Sequence, residues 1–225
     1  MVNRIIEVMG PSGVGKTTLV KAFLEGEADH WITWPLPAAD RKRQELDSDV
    51  HAHLFEAKIA TILARPRVSV YQKSRLIQHA ADILTIDQFC LEALPRPSIL
   101  DEGLIQNVGS EVRKLEVTSA TFSPRELLQN RAFVNLVGRP ETILARVRDR
   151  QMKSDQEKVS YAKMTDDDII QAVTKSLRWR QKLAGFLQEM GCPILMLETE
   201  ISQSEKADAL RKFVDGFRTP GDGPA

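Results

Sequence analysis

The chain has 225 residues, of which 42% are hydrophobic and 28% are charged, and its formal net charge at pH 7 is zero. This composition is that of an ordinary globular protein and excludes a disordered or fibrous chain. Zero net charge gives no overall attraction to nucleic acid or anionic lipid, so neither is an expected partner.

The expected location follows from the apolar runs and the cysteines. No apolar run is long enough to span a bilayer, and Met1 to Met9 lacks the basic and uninterrupted apolar regions of a signal peptide. Cys90 and Cys192 stand far apart and match no disulfide or zinc spacing. We therefore expect a cytoplasmic protein with two buried thiols, no membrane partner, and no metal except one that a nucleotide brings.

The first predicted elements are a strand, a glycine-rich loop and a helix. Ile5 to Met9 is a short apolar run, and apolar residues recur at helical spacing between Lys16 and Leu24. Between them, Gly10 to Thr17 matches the phosphate-loop pattern G-x-x-x-x-G-K-[ST]. Because the pattern lies between a strand and a helix, where an anion can meet the helix N-terminus, we predict a nucleotide site here.

Each fixed position of this loop has a chemical task. Glycines let successive backbone N–H groups turn toward an anion, Lys16 can reach the β- and γ-phosphates, and the Thr17 hydroxyl can ligate Mg²⁺. The sequence therefore predicts ATP and Mg²⁺ as cofactors. The predicted cofactor-binding residues are Gly10, Pro11, Ser12, Gly13, Val14, Gly15, Lys16, Thr17 and Thr18.

The next part of the chain is predicted to be mostly helical. Trp31 to Leu36 is a candidate second strand, which Pro35 and Pro37 restrict to a short or edge element. From about Leu46 to Leu94 apolar residues recur at helical spacing with Pro66 as a breaker. This pattern predicts an insertion of two or three consecutive helices over about 46–94.

The second half alternates strands with helices. Apolar runs that indicate buried strands begin at Pro97, Ala132 and Pro193. Capping boxes that mark helix starts lie at Ser123 to Glu126, Thr165 to Asp168 and Ser202 to Glu205. Helices between successive strands require parallel pairing, so the predicted class is α/β. We expect a three-layer α/β/α fold around a parallel five-stranded sheet, as one domain over 1–218 with a flexible tail at 219–225.

Two carboxylates follow the middle strand. Asp101 and Glu102 lie at its carboxyl end, where open parallel sheets bind their ligands. Asp101 can hold Mg²⁺ through water, whereas Glu102 also suits an ATPase in which it polarises the attacking water. The chain has no guanine-reading Asn-Lys-x-Asp segment and no Leu-Ser-Gly-Gly-Gln segment. Switch GTPases and transporter ATPases are thereby excluded.

A lid is predicted over about 146–165. Arg146 and Arg150 are four residues apart on a predicted helix and share one face. Such cations stabilise charge on a transferring phosphoryl group, and a closing lid excludes water from it. Gln151 to Lys163 is polar and without clear periodicity, which suits a mobile segment. The alternative is a solvated charged face that includes Arg148.

The order of these features resembles the thymidylate kinase and deoxynucleoside kinase group of phosphate-loop kinases. It runs from the loop through the helical insertion, the Asp101 strand and a strand followed by Arg139-Pro-Glu to the lid arginines and a last strand and helix. The resemblance implies transfer of the γ-phosphoryl group of ATP to a nucleoside, a nucleotide or a similar small acceptor. It also implies an acceptor-binding arginine in the insertion, where Arg75 occupies a comparable place, although a lone arginine can equally be a surface cation.

Departures from that group leave the acceptor open. Its members usually have an arginine directly after the aspartate of the middle strand, where this chain has Glu102. They also place a glutamate base at the end of the second strand, and here the first acid in that region is Asp40. The candidates for the base are therefore Asp101, Glu102 and Asp40.

Other functions of a phosphate loop also stay open. They are an ATPase that uses Glu102, a nucleotide-binding regulatory module, a sugar kinase and a polynucleotide kinase. Stretches rich in Arg and Lys favour the last of these, and the zero net charge opposes it. The sequence does not determine the oligomeric state, and a homodimer is compatible with it.

Overall fold

The computed structural model describes residues 4–34, 48–94, 96–118, 122–153, 161 and 164–217. These residues contain four strands: β1 (Ile5–Met9), β2 (Ser98–Leu100), β3 (Arg131–Val137) and β4 (Ile194–Glu198). They also contain eight helices: α1 (Lys16–Glu27), α2 (Asp49–Leu63), α3 (Val70–Glu92), α4 (Leu104–Thr118), α5 (Pro124–Leu128), α6 (Pro140–Lys153), α7 (Asp166–Glu189) and α8 (Gln203–Phe217).

The strands form a parallel sheet in the order β2-β1-β3-β4. In the β1–β2 pair, Glu7 is opposite Leu100, and in the β3–β4 pair, Val137 is opposite Glu198. All 5 residues of β1 are buried, which explains why its sequence is a continuous apolar run with no alternation except for Glu7. The predicted α/β class with a parallel sheet is confirmed.

The prediction of a fifth strand is wrong for the part of the chain that is described. The candidate at Trp31 to Leu36 is reduced to one parallel bridge between Ile32 and Ser98. The Ile32 N–H donates to the Pro97 carbonyl at 3.0 Å, and the Ile99 N–H donates to the Ile32 carbonyl at 2.8 Å. These bonds engage a single residue and do not extend into a ladder, so no strand forms. Residues 35–47 are outside the described ranges.

Two predicted helices occupy the middle region. α2 and α3 lie within the 46–94 span, and Pro66 falls between them, because proline cannot continue a helix interior. The start of α3 carries an unpredicted capping box between Ser69 and Gln72. The helices are as predicted, and the role of this region as an acceptor-binding insertion remains a prediction.

The three predicted capping boxes have different outcomes. Reciprocal cap bonds join Thr165 to Asp168 and Ser202 to Glu205. Ser123 does precede α5, but its side chain makes no cap bond, so the predicted box is wrong there. Both cysteines are buried and free, and burial raises the pKa of Cys90 to about 12 and that of Cys192 to about 11.

The chain divides into two compact units. The first comprises Met1–Glu7, Asp29–Ala132 and Met190–Cys192, and the second comprises Val8–Ala28, Phe133–Glu189 and Pro193–Ala225. The second unit contains the phosphate-loop segment, and the first contains Asp101. A single domain over 1–218 stays a prediction, and the tail at 219–225 lies outside the described ranges. Among the helices of those ranges, none is both long enough and apolar enough to cross a bilayer.

Candidate nucleotide site

The predicted phosphate loop connects β1 to α1 and depends on its glycines. Gly13 has φ 85° and Gly15 has φ 106°, in the left-handed region that side chains other than glycine's rarely adopt. Gly13 also has no room for a side chain, because a Cβ atom there would lie 2.6 Å from Cγ2 of Val147 on α6. The loop conformation and its close packing on α6 both require glycine.

The two polar side chains of the loop motif lie at the first turn of α1. The ammonium of Lys16 donates to the carbonyls of Gly10 at 3.0 Å and Pro11 at 3.4 Å, so it lies across the loop. Thr17 and Thr18 are exposed on the same turn. An ammonium, a hydroxyl and a run of loop N–H groups are the donor set that fits a triphosphate and its Mg²⁺.

Arg146 of α6 joins the loop to the end of β4. One guanidinium nitrogen donates to the carbonyl of Val14 at 3.1 Å, and the other donates to the carbonyl of Thr199 at 3.0 Å. The structure therefore brings Arg146 to the loop, as a hydrogen-bonded tie between two backbone segments. Arg150, on the same helix, is exposed.

The rest of the predicted lid is described only in part. Arg148 pairs with Asp166 and donates to the Met164 carbonyl at 2.9 Å, which connects α6 to the start of α7. Residues 154–160, 162 and 163 lie outside the described ranges. The lid therefore stays a prediction.

A buried lysine supports the same tie. The ammonium of Lys206 on α8 donates to the Thr199 carbonyl at 3.1 Å, and its side chain is 6% exposed. Burial and then the neighbouring Arg146 charge lower the pKa of Lys206. Sequence reasoning missed this residue, although a lysine on the face of α8 that also carries Ala207 and Leu210 was a usable signal.

In the first unit, a buried carboxylate inside β1 binds the start of α4. Glu7 is 0% exposed, and its two oxygens accept the N–H groups of Ile105 at 2.8 Å and Gln106 at 2.5 Å. Burial raises the pKa of Glu7 to about 7. Sequence analysis treated this residue as part of an apolar run, although a charge in a buried strand needs a partner.

Asp101 and Glu102 directly follow β2. Asp101 is partly buried and Glu102 is exposed. The next residue is Gly103, where a Cβ atom would lie only 2.5 Å from Cδ of Glu7. Glycine at position 103 is therefore explained by its close packing against Glu7.

A second buried polar cluster lies in the first unit. The Arg131 guanidinium donates to both oxygens of Asp87 at 2.6 Å, and Nε2 of His51 lies 2.8 Å from Asp87 Oδ2. Burial alone would raise the pKa of Asp87, but the charge of Arg131 and the bond to His51 hold it below its ordinary value. Sequence analysis missed this cluster because its members are far apart in the chain.

The two predicted acceptor residues have different outcomes. Arg75 is exposed on α3 and lines a groove of about 770 Å³ with Gln72 and His79. His79 Nε2 lies 3.2 Å from the side-chain oxygen of Asn107 on α4. Asp40 is outside the described ranges.

Comparison with known proteins supports the fold through structure alone. No protein-family model matches the chain, and no curated protein matches it in sequence. The solved structure of shikimate kinase from Bacteroides thetaiotaomicron has a TM-score of 0.50 and 14% identity, over 94% of this chain and 98% of that one. Deoxyadenosine kinase from M. mycoides with bound dCTP has a TM-score of 0.47 and 11% identity, over 94% and 99%. The first likeness shows the fold alone, which this chain shares with that structure over most of its length.

Proposed function

We propose that this protein is an ATP-dependent kinase that transfers the γ-phosphoryl group to a small-molecule acceptor. The observation that carries the proposal is the loop from Gly10 to Thr17. Gly13 and Gly15 have backbone angles in the left-handed region, and the Lys16 ammonium lies across the loop. This arrangement suits a triphosphate. The fold shared with shikimate kinase supports phosphoryl transfer over other uses of such a loop. The thymidylate and deoxynucleoside kinase group remains the proposed subgroup.

The proposed reaction assigns a role to each candidate residue. An acceptor oxygen forms a bond to the γ-phosphorus, the bond from that phosphorus to the bridging oxygen breaks, and ADP leaves. The proton of an acceptor hydroxyl passes to a carboxylate, for which Asp101, Glu102 and Asp40 are the candidates. Lys16 binds the phosphates and stabilises the charge that develops on them.

Magnesium has two proposed ligands in this chain. Thr17 would hold it directly and Asp101 would hold it through water, and bound Mg²⁺ would neutralise charge on the β- and γ-phosphates. Arg146 keeps the loop in place through the Val14 carbonyl, and we assign Arg150 to the lid. Because Arg146 already holds two carbonyls, its contribution is positional as well as electrostatic.

The acceptor site is proposed to include Arg75 and the groove on α3. A guanidinium, the Gln72 amide and the His79 ring offer several hydrogen-bond donors and acceptors to a polar small molecule. A nucleoside, a nucleotide and a sugar all have matching groups. A cytoplasmic location and a homodimer are retained as proposals from the sequence.

An ATP-consumption screen tests the function. Purified protein would be incubated with Mg-ATP and, in separate reactions, with nucleosides, nucleoside monophosphates, sugars, shikimate-like alcohols and an oligonucleotide. The control is Lys16→Ala, which we expect to keep the circular dichroism spectrum of the wild type and lose turnover. Consumption that depends on one acceptor supports the kinase and identifies its substrate.

The other outcomes separate the alternatives. Consumption without any acceptor that is lost in Glu102→Gln would favour an ATPase. Tight ATP binding without turnover under any condition would favour a regulatory module. A Lys16→Ala variant that consumes ATP as fast as the wild type would contradict the site itself.

A further inference from the structure

One residue of β1 holds the backbone that follows Asp101. The backbone of Glu7 is opposite Leu100 in the β1–β2 ladder, and Asp101 directly follows Leu100. The side chain of Glu7 accepts the N–H groups of Ile105 and Gln106, which come just after that segment. The backbone that follows Asp101 is therefore attached to the Glu7 side chain.

The helical turn after Asp101 needs this attachment. Val108 has φ −126° and ψ 15°, which interrupts α4 and leaves Leu104 to Asn107 as a separate first turn. A single turn is not stable alone, because fixing its backbone costs more free energy than its hydrogen bonds return. Glu7 binds two of its N–H groups, and the Asn107 side chain donates to the Gly103 carbonyl at 2.9 Å.

The carboxylate replaces the cap that the local sequence lacks. The residue before the turn is Gly103, which has no side chain to accept the first N–H groups of the helix. A side chain there would also collide with Glu7, since a Cβ atom on residue 103 would be 2.6 Å from both Cγ and Oε2. Glu7 and Gly103 are thus complementary, and a side chain at position 103 does not fit beside an intact Glu7.

We propose that Glu7 is a positioning residue for the Asp101 carboxylate in phosphoryl transfer. Glu7 fixes the backbone that follows Asp101 and so limits the directions in which that carboxylate presents its oxygens. It does not itself touch substrate or metal. This inference rests on the proposed function, in which Asp101 holds Mg²⁺ through water.

The test measures how much Mg²⁺ tightens nucleotide binding. A fluorescent ATP analogue would be titrated into wild type, Glu7→Gln and Asp101→Asn, with Mg²⁺ and with EDTA. Residues that orient a metal ligand typically contribute about tenfold or more to metal affinity. We expect Asp101→Asn and Glu7→Gln each to lose about tenfold of the Mg²⁺ effect, while affinity in EDTA stays close to the wild-type value because the loop is intact.

A relocated cap separates positioning from general damage. Glu7→Ala with Gly103→Asp removes the collision and puts a carboxylate at the start of the turn itself. We expect this double variant to regain Mg²⁺ dependence that each single variant lacks, and hydrogen exchange of the amides at 105 and 106 to slow again. Glu7→Gln conserves the side-chain volume, and thermal unfolding confirms that the variants compared are folded.

The outcomes distinguish this inference from the proposed function. A wild-type protein that binds no ATP overturns both. A wild type with a clear Mg²⁺ effect that Glu7→Gln fully retains, with unchanged amide exchange, overturns the role of Glu7 alone. Strictly additive effects of Glu7→Ala and Gly103→Asp would also overturn it.

Discussion

Arg146 and Lys206 donate to the same acceptor, the carbonyl oxygen of Thr199, at 3.0 Å and 3.1 Å. Burial lowers the pKa of Lys206, and the nearby positive charge of Arg146 lowers it further. The second effect is the repulsion expected of two cations that share one neutral oxygen. Only Arg146 also reaches the phosphate loop, through Val14. The two residues should therefore differ in their effect on nucleotide binding.

Arg146→Met is expected to weaken ATP binding about tenfold, because the Val14 carbonyl loses the donor that holds it and the loop loosens. Lys206→Met is the matched control, because Thr199 keeps its bond from Arg146, and we expect less than about a threefold change. Isothermal titration calorimetry with ATP measures both. Equal losses in the two variants would show that Thr199 requires both donors.

Removal of one partner from the buried pair of Asp87 and Arg131 is expected to destabilise the first unit strongly. Arg131→Met leaves the buried Asp87 charge with His51 but without its guanidinium partner, and should reduce the free energy of unfolding by about 3 kcal/mol. Lys153→Ala, which breaks an exposed pair with Asp149 at 2.8 Å, should cost less than about 1 kcal/mol. Urea denaturation compares them.

A double variant isolates the coupling between these two charges. Arg131→Met combined with Asp87→Asn removes the lone charge, so its cost should be clearly smaller than the sum of the single costs. A purely additive result would contradict the ion pair.

The stability of the protein is expected to depend on pH through Glu7. Its pKa in the folded protein is raised from 4.5 to about 7 by burial, so the folded state favours the protonated form. The stability that this gives is fully present below the unfolded pKa and is lost as the pH rises through about 7. Between about pH 5 and pH 8, wild type should lose about 2 kcal/mol relative to Glu7→Gln.

Urea denaturation of both proteins at the two pH values gives this difference directly. Titration of other groups, including nearby Asp87 and Arg131, is common to both proteins and cancels in the first approximation. A parallel pH dependence in wild type and Glu7→Gln would contradict the shifted carboxyl group.

Two serines at helix starts should behave differently on truncation. Ser202→Ala removes an oxygen that accepts the Glu205 N–H at 3.2 Å and should cost about 1 kcal/mol. Ser123→Ala removes a side chain that makes no cap bond and should change stability by less than about 0.5 kcal/mol. The comparison uses the urea midpoint of each variant, and a similar loss at both sites would be contrary to the structure.

The sequence predicted those features whose cause is local. The phosphate loop and the boxes at Thr165 and Ser202 depend on residues within a few positions of one another, so spacing alone identifies them. Strands β1 to β4 followed from apolar runs between turn signals. The fold class and the loop are therefore evident from the order of the residues alone.

Features that depend on distant partners could not be predicted. Glu7 meets Ile105 at a sequence separation of 98, and Arg131 meets Asp87 at a separation of 44. No spacing rule connects such residues, and each alone is an unexplained charge in an apolar run. The fifth strand failed for a related reason, because the pairing of Ile32 depends on neighbours from another part of the chain.

The contact between Glu7 and Gly103 constrains how this chain can evolve. A lineage that acquires a side chain at position 103 cannot keep the glutamate, and a lineage that loses the glutamate is free to place Ser or Asp at 103 as a local cap. The two positions should therefore vary together among homologues. Such correlated change, read from sequences aligned on their structures, would show which relatives keep the Glu7 cap and which have replaced it by a local one.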